Sequence, residues 1–216
     1  MRGGNGDCIA EPVRAFLALP VLPPALGPFQ ALGERLMAEV GAVRWAPFES
    51  PHITLHFFGA LSDAAAVRAL DALRPALAAQ TSMSLRLHRL GGFPSDRRPR
   101  VLWCGVDGDV DALRAVASDC AIALRSARFA VDDRPYRAHC TVGRPRQPWP
   151  AEALRAWLAV ARDEPRTPMF TSDCAILYES VGGPGGVCHV PRATVALGMG
   201  PSSAPVGDDP SAPRDQ

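Results

Sequence analysis

The sequence contains no lysine: every one of the 23 cationic side chains among its 216 residues is arginine. That absence excludes Schiff-base chemistry, ligation through a lysyl adenylate and a phosphate loop of the GxxxxGK form. It also lacks a charge excess, since the net charge is +1. A broad basic field able to hold long duplex nucleic acid is therefore excluded, and a small or terminal anionic group remains as a partner. None of the six cysteines forms a CxxC pair, and they are scattered. They read as reduced and mostly buried thiols rather than as a stapled framework. No stretch approaches 18 consecutive apolar residues, and Met1 to Asp7 carries no apolar signal core. A soluble, cytoplasmic protein without a membrane partner is expected.

What remains is a globular composition, 47% hydrophobic and 21% charged. Residues 1–12 and 200–216 are rich in Gly, Pro, Ser and Asp without periodicity and are expected to be disordered, leaving one folded domain over 13–199. Within it, Val13 to Val21 reads as a buried strand, and Phe29, Leu32, Leu36 and Val40 recur at helical spacing up to Gly41. His52 to Phe58 alternates, with Ile53, Leu55 and Phe57 on one face and His52, Thr54 and His56 on the other. Ser62-Asp63 caps a second helical stretch that contains Pro75, and Met83, Leu85 and Leu87 mark a half-buried strand.

After the Pro/Arg loop from Phe93 to Arg100, the order of elements starts again. Apolar runs begin at 13 and 101, His-x-Thr strands at 52 and 139, second helices near 63 and 151, and the next strands near 83 and 173. The near-constant offset is the mark of an internal duplication. It predicts an α+β fold of two pseudo-symmetric lobes, mostly antiparallel, with helices on the outer faces and a cleft between the lobes. Two closing strands joined by a Gly-rich hairpin at Gly182 to Gly186 complete the chain.

The repeated triplets are His52-x-Thr54 and His139-x-Thr141. With five His and six Thr in the chain, chance supplies roughly 0.14 such triplets. A lone strand histidine is usually a polar residue on a solvated face; two at equivalent places need another explanation. Residues i and i+2 share a strand face, so each motif presents an imidazole beside a hydroxyl. Two imidazoles can move protons in pairs at neutral pH, one as base and one as acid, while the hydroxyls donate to phosphoryl oxygens. From spacing alone the two histidines are equivalent. A metal site drawn from His52, Thr54 and His56 is a weaker alternative, because no carboxylate lies nearby in sequence.

Pro51 to Gly59 and Tyr136 to Arg144 resemble the two HxTx motifs of the 2H phosphoesterase superfamily, and more narrowly those of bacterial RNA 2′,3′-cyclic phosphodiesterases, also called 2′-5′ RNA ligases. The resemblance extends over Val13 to Leu19, Gly92 to Trp103 and Leu177 to Ser180. It implies metal-independent, cofactor-free hydrolysis of an RNA 2′,3′-cyclic phosphate to a 2′-phosphate. By the same resemblance His52 is the proton donor, His139 the proton acceptor, and Thr54 and Thr141 bind the phosphate. Ala138 stands where the family usually has Pro, and Cys140 and Val142 where Leu is commoner.

Around this core, Phe58 is expected on the His52 face as a platform for a terminal base. Arg144 and Arg137 flank the second motif as candidate RNA contacts, with Arg146, Arg97, Arg98 and Arg100 further out. The Gly182 to Gly186 loop reads as a turn rather than a phosphate cradle. Expected partners are RNA 3′ termini or small cyclic nucleotides, met by a monomer. Two other functions stay open: the reverse reaction, 2′-5′ ligation with an RNA 5′-hydroxyl in place of water, and a binding module that uses the cleft without chemistry.

Overall fold

Strand β1 (Val13–Pro20) is apolar on both sides from Ala15 onward because both sides are covered. Leu17 and Leu19 enter the main core, whereas Phe16 and Ala18 lie with Tyr178 under a separate cluster on the opposite face. The computed structural model describes residues 13–163, 165–183 and 186–198, so the expectations for residues 1–12 and 200–216 lie outside the described residues, as do Cys8 and the middle of the glycine-rich loop.

The chain continues through α1 (Leu26–Glu39), β2 (Val43–Trp45), β3 (His52–Leu61), α2 (Asp63–Ala78), β4 (Met83–Phe93), β5 (Val101–Gly108), α3 (Val110–Ser126), β6 (His139–Pro145), α4 (Ala151–Arg162), β7 (Phe170–Ser172), β8 (Cys174–Gly183) and β9 (Gly186–Ala196). Helix α2 starts where the sequence places it, with the Ser62 hydroxyl accepting from the Ala65 N–H, and it runs through Pro75 to Ala78. The strands form one sheet in the order β7-β4-β5-β6-β3-β1-β8-β9, with β2 added to β6. Every pairing is antiparallel.

The helices lie against one face of this sheet. Phe29, Leu36, Leu73, Leu77, Leu113, Leu124, Trp157 and Val160 pack there against Leu17, Leu19, Ile53, Leu85, Leu87, Leu102 and Val142 in one continuous cluster. Helix α2 packs beside α3, and α1 beside α4. The other face carries the histidine motifs, and an α+β fold with one cleft face results.

The sheet order mirrors about the β3/β6 contact: β6-β5-β4-β7 on one side and β3-β1-β8-β9 on the other. Neither half of the sheet is built from one sequence half alone, however. Strand β4 follows α2 in the first half yet pairs with β5 of the second, and β8 follows α4 yet pairs with β1. The halves exchange a strand, which ties them into one sheet. The short strands β2 and β7 carry too few residues for period-two alternation to announce them. Among the described cysteines Cys104, Cys120 and Cys140 are buried, Cys174 is half-buried and Cys188 is exposed, all as free thiols.

Candidate active site

The two motifs meet at the centre of the sheet. Ile53 pairs with Cys140 across antiparallel β3 and β6, and both side chains point into the core. Antiparallel register then sets His52 on the side of Thr141 and Thr54 on the side of His139, with all four side chains on the opposite face. Each of the four is half-buried. The alternation required by a strand thus builds a compact set of two imidazoles and two hydroxyls without any loop.

Both imidazoles are held in the same way. His52 Nδ1 lies 3.0 Å from the Ser50 carbonyl oxygen, and His139 Nδ1 lies 2.6 Å from that of Arg137. A carbonyl can only accept, so Nδ1 carries the proton in both rings and donates it there. Nε2 is left as the nitrogen free to take or give a proton. The tethers match, each to the residue two positions earlier.

Burial favours the uncharged imidazole at both positions. His52 is pushed down to about 4, chiefly by desolvation, against the Ser50 carbonyl, which stabilises the cation; neighbouring His189 and His139 push it further down. His139 is also lowered, first by desolvation and then by the Arg144 guanidinium, with the Arg137 carbonyl opposing. An anion bound between them would act in the other direction on both rings.

Two β-bulges decide what surrounds the histidines. In β3 the register skips Leu55 (Leu17 pairs with His56, Ala18 with Thr54) and then Phe58, which shifts the phase of the alternation. His56 therefore turns into the core and is only 7% exposed, while Phe57 emerges on the His52 face at 67%. The expected positions of Phe57 and Phe58 are thereby exchanged: Phe58 packs edge-on against His56 and Phe129 at the core, and Phe57 is the aromatic in the cleft, 5.9 Å from the Phe16 ring. The set His52, Thr54, His56 is not assembled, because the bulge sends His56 to the other face. In β6 the register skips Val142, and Arg144 comes out exposed near His139.

Several residues that the sequence reading did not single out complete the surroundings. His52 rests on Phe16 at 4.7 Å and meets His189 of β9 edge-on at 5.0 Å. Phe16 stacks on Tyr178 at 5.2 Å. On the other side His139 meets Phe93 edge-on at 5.1 Å, and the Arg137 guanidinium lies 5.8 Å from the same ring. Phe93 in turn contacts Trp103 at 5.2 Å, which stands opposite Thr141. Gly91 is what admits that indole: a Cβ there would lie 2.3 Å from the ring. The adjacent glycines Gly91 and Gly92 inside a strand pattern were the available signal of a close approach. Arg44 of β2 pairs with Arg144, two exposed cations side by side, an arrangement that disfavours the empty site and suits an anion.

The family model of the 2′-5′ RNA ligase superfamily matches residues 23–183. A curated RNA 2′,3′-cyclic phosphodiesterase of Geobacillus stearothermophilus is 30% identical over 144 residues, 65% of this chain and 46% of that protein. One of Aeropyrum pernix is 33% identical over 96 residues, 44% of this chain and 53% of that protein. The chain spans about half the length of these relatives. Among solved structures, a Thermus thermophilus protein, TT0787, superposes with TM-score 0.67 at 19% identity, covering 86% of this chain and 98% of that one. E. coli LigT complexed with 3′-AMP superposes with TM-score 0.64 at 21% identity, covering 87% and 99%. At these identities the likeness establishes the fold.

Proposed function

The chain belongs to the 2′-5′ RNA ligase superfamily, and we propose that it hydrolyses the 2′,3′-cyclic phosphate at an RNA 3′ end to a 2′-phosphate, by proton transfer between His52 and His139 without a metal ion. The observation that carries this reading is the matched tethering of the two imidazoles, each with Nδ1 on a backbone carbonyl and Nε2 free, beside a threonine on the same sheet face. The names of the curated relatives point to the same activity.

In this mechanism the phosphorus of the cyclic diester sits between the two rings. Neutral His139 Nε2 removes a proton from water as the water oxygen bonds to phosphorus. The P–O3′ bond breaks, and His52 Nε2, protonated when the anionic diester occupies the cleft, delivers its proton to O3′. Thr54 and Thr141 donate to the non-bridging oxygens, where negative charge accumulates. The product keeps phosphate on O2′, and solvent exchange returns both imidazoles to their starting states.

The electrostatics suit this division of labour. The bound diester supplies the negative charge that the free cleft lacks, raising the affinity of His52 for its proton only when there is something to protonate. Burial, with a smaller push from the Arg144 guanidinium, favours the neutral, basic form of His139. The test is turnover of an RNA bearing a 2′,3′-cyclic phosphate in EDTA, beside its equilibrium binding. His139→Ala should lose about 10² to 10⁴ in rate while still binding the RNA; equal turnover by variant and wild type would remove His139 from the chemistry.

A further inference from the structure

We propose that the loop joining β4 to β5 forms, with the segment that follows β6, a second subsite for the single-stranded RNA 5′ of the terminal nucleotide, built from Arg97, Arg98 and Arg100 beside Trp149. The proposal rests on the reading above, because it presumes that the cyclic phosphate belongs to an RNA strand.

Strand β6 leads from His139 through Thr141 to Arg144, and two residues beyond its end, at Gln147, the chain meets the loop that joins β4 to β5. Between them lies a cavity of about 310 Å³ lined by Arg97, Arg98, Arg100, Gln147, Trp149 and Leu154. The loop begins at Phe93, whose ring meets that of His139 at 5.1 Å, and the cavity is lined by the arginines further along the same loop. The three arginines are exposed, and none forms a salt bridge with a described residue. The loop's own carboxylate is spent elsewhere: Asp96 Oδ1 accepts from the Gly92 N–H at 2.6 Å.

The loop is also held in shape before any ligand arrives. The Arg100 N–H donates to the Phe93 carbonyl at 2.6 Å and the Arg98 N–H to that of Ser95 at 3.3 Å. Gln147 Nε2 donates to the Pro99 carbonyl at 3.1 Å, which leaves its amide oxygen as an acceptor for a base or a ribose hydroxyl. Trp149 Nε1 donates to the Gly41 carbonyl at 3.1 Å, fixing the indole. A fixed aromatic side chain beside guanidinium groups that form no salt bridge with a described residue is the apparatus that binds single strands without reading their sequence, by stacking bases and neutralising phosphates. With a net charge of only +1, the chain has no general attraction for RNA, so such binding must be local. Arg144, paired with Arg44 of β2, stands between Thr141 and Gln147 along the chain.

The test compares the full chain with its Arg97→Ala/Arg98→Ala/Arg100→Ala variant on two probes: a fluorescent single-stranded RNA decamer ending in a 2′-phosphate, for binding, and a 2′,3′-cyclic mononucleotide, for hydrolysis. The variant should bind the decamer at least tenfold more weakly, and the slope of log affinity against log salt should fall by about 2, as loss of three phosphate contacts to a single strand requires. Mononucleotide hydrolysis and melting temperature should be unchanged. Equal decamer affinity in the two proteins, or an equal loss on both probes, overturns the subsite. Failure of the wild type to hydrolyse either a cyclic mononucleotide or a cyclic-phosphate RNA overturns instead the reading on which it rests, and the decamer binding still decides the subsite.

Discussion

Phe57 and Arg144 occupy the same place in the two halves of the cleft: each stands five residues beyond its motif histidine, and each is turned onto the histidine face by a bulge in its strand. One position carries an aromatic ring and the other a cation, so a nearly symmetric frame gains a polarity. The ring suits a base and the guanidinium a phosphate. Phe57→Ala should therefore raise KM for a 2′,3′-cyclic mononucleotide by about tenfold, with kcat little changed, since stacking is worth about 1–3 kcal/mol per base. Steady-state kinetics at fixed pH checks this.

Arg144→Gln should show a different signature. The guanidinium pushes the His139 pKa down, so removing it raises that pKa, and the group that must be neutral to accept a proton becomes neutral only at higher pH. The acidic limb of the kcat/KM profile should move upward in the variant. An unmoved limb would separate Arg144 from His139.

Stability should carry the trace of buried neutral imidazoles. His52 is lowered to about 4 in the folded chain, against about 6.5 when unfolded. Between those values the unfolded chain binds more protons, so the stability from this group is complete above 6.5, falls as pH drops towards 4, and is flat below. Thermal melts from pH 4 to 7 should show Tm rising with pH, with a smaller rise in His52→Gln.

Gly91→Ala places a methyl 2.3 Å from the Trp103 ring. The indole must shift, at a cost of about 1–3 kcal/mol for overpacking, and it stands opposite Thr141. Denaturant unfolding should report the stability loss, and kcat should fall with it.

His56 offers the opposite expectation. Its buried Nε2 has no hydrogen-bond partner among the described residues, and it faces the core. His56→Leu removes an unsatisfied polar atom, so stability should be unchanged or raised by about 1 kcal/mol, with kcat unaltered.

The parts of this molecule governed by local rules were legible in the sequence. The repeat offset, the Ser62 cap and the alternation at His52-x-Thr54 and His139-x-Thr141 each follow from spacing along one segment, and they placed the four central site residues on one sheet face. What depended on a partner strand was not legible. Only pairing with β1 reveals that β3 skips Leu55 and Phe58, and so exchanges Phe57 and Phe58 between cleft and core. The positions of β4 and β8, each in the sheet half opposite to its own sequence half, are likewise set by tertiary pairing. His189 entered the site unannounced because β9 reaches it from the far end of the chain.

The most direct measurement is the position of the phosphate on the product. An RNA ending in a 2′,3′-cyclic phosphate is incubated in EDTA with the wild type, His52→Ala and His139→Ala, and the 2′- and 3′-monophosphates are separated. Protonation of O3′ by His52 predicts the 2′-phosphate alone from the wild type, and a loss of about 10² to 10⁴ in both variants. A 3′-phosphate product, or turnover that survives either substitution, would contradict the paired-histidine mechanism.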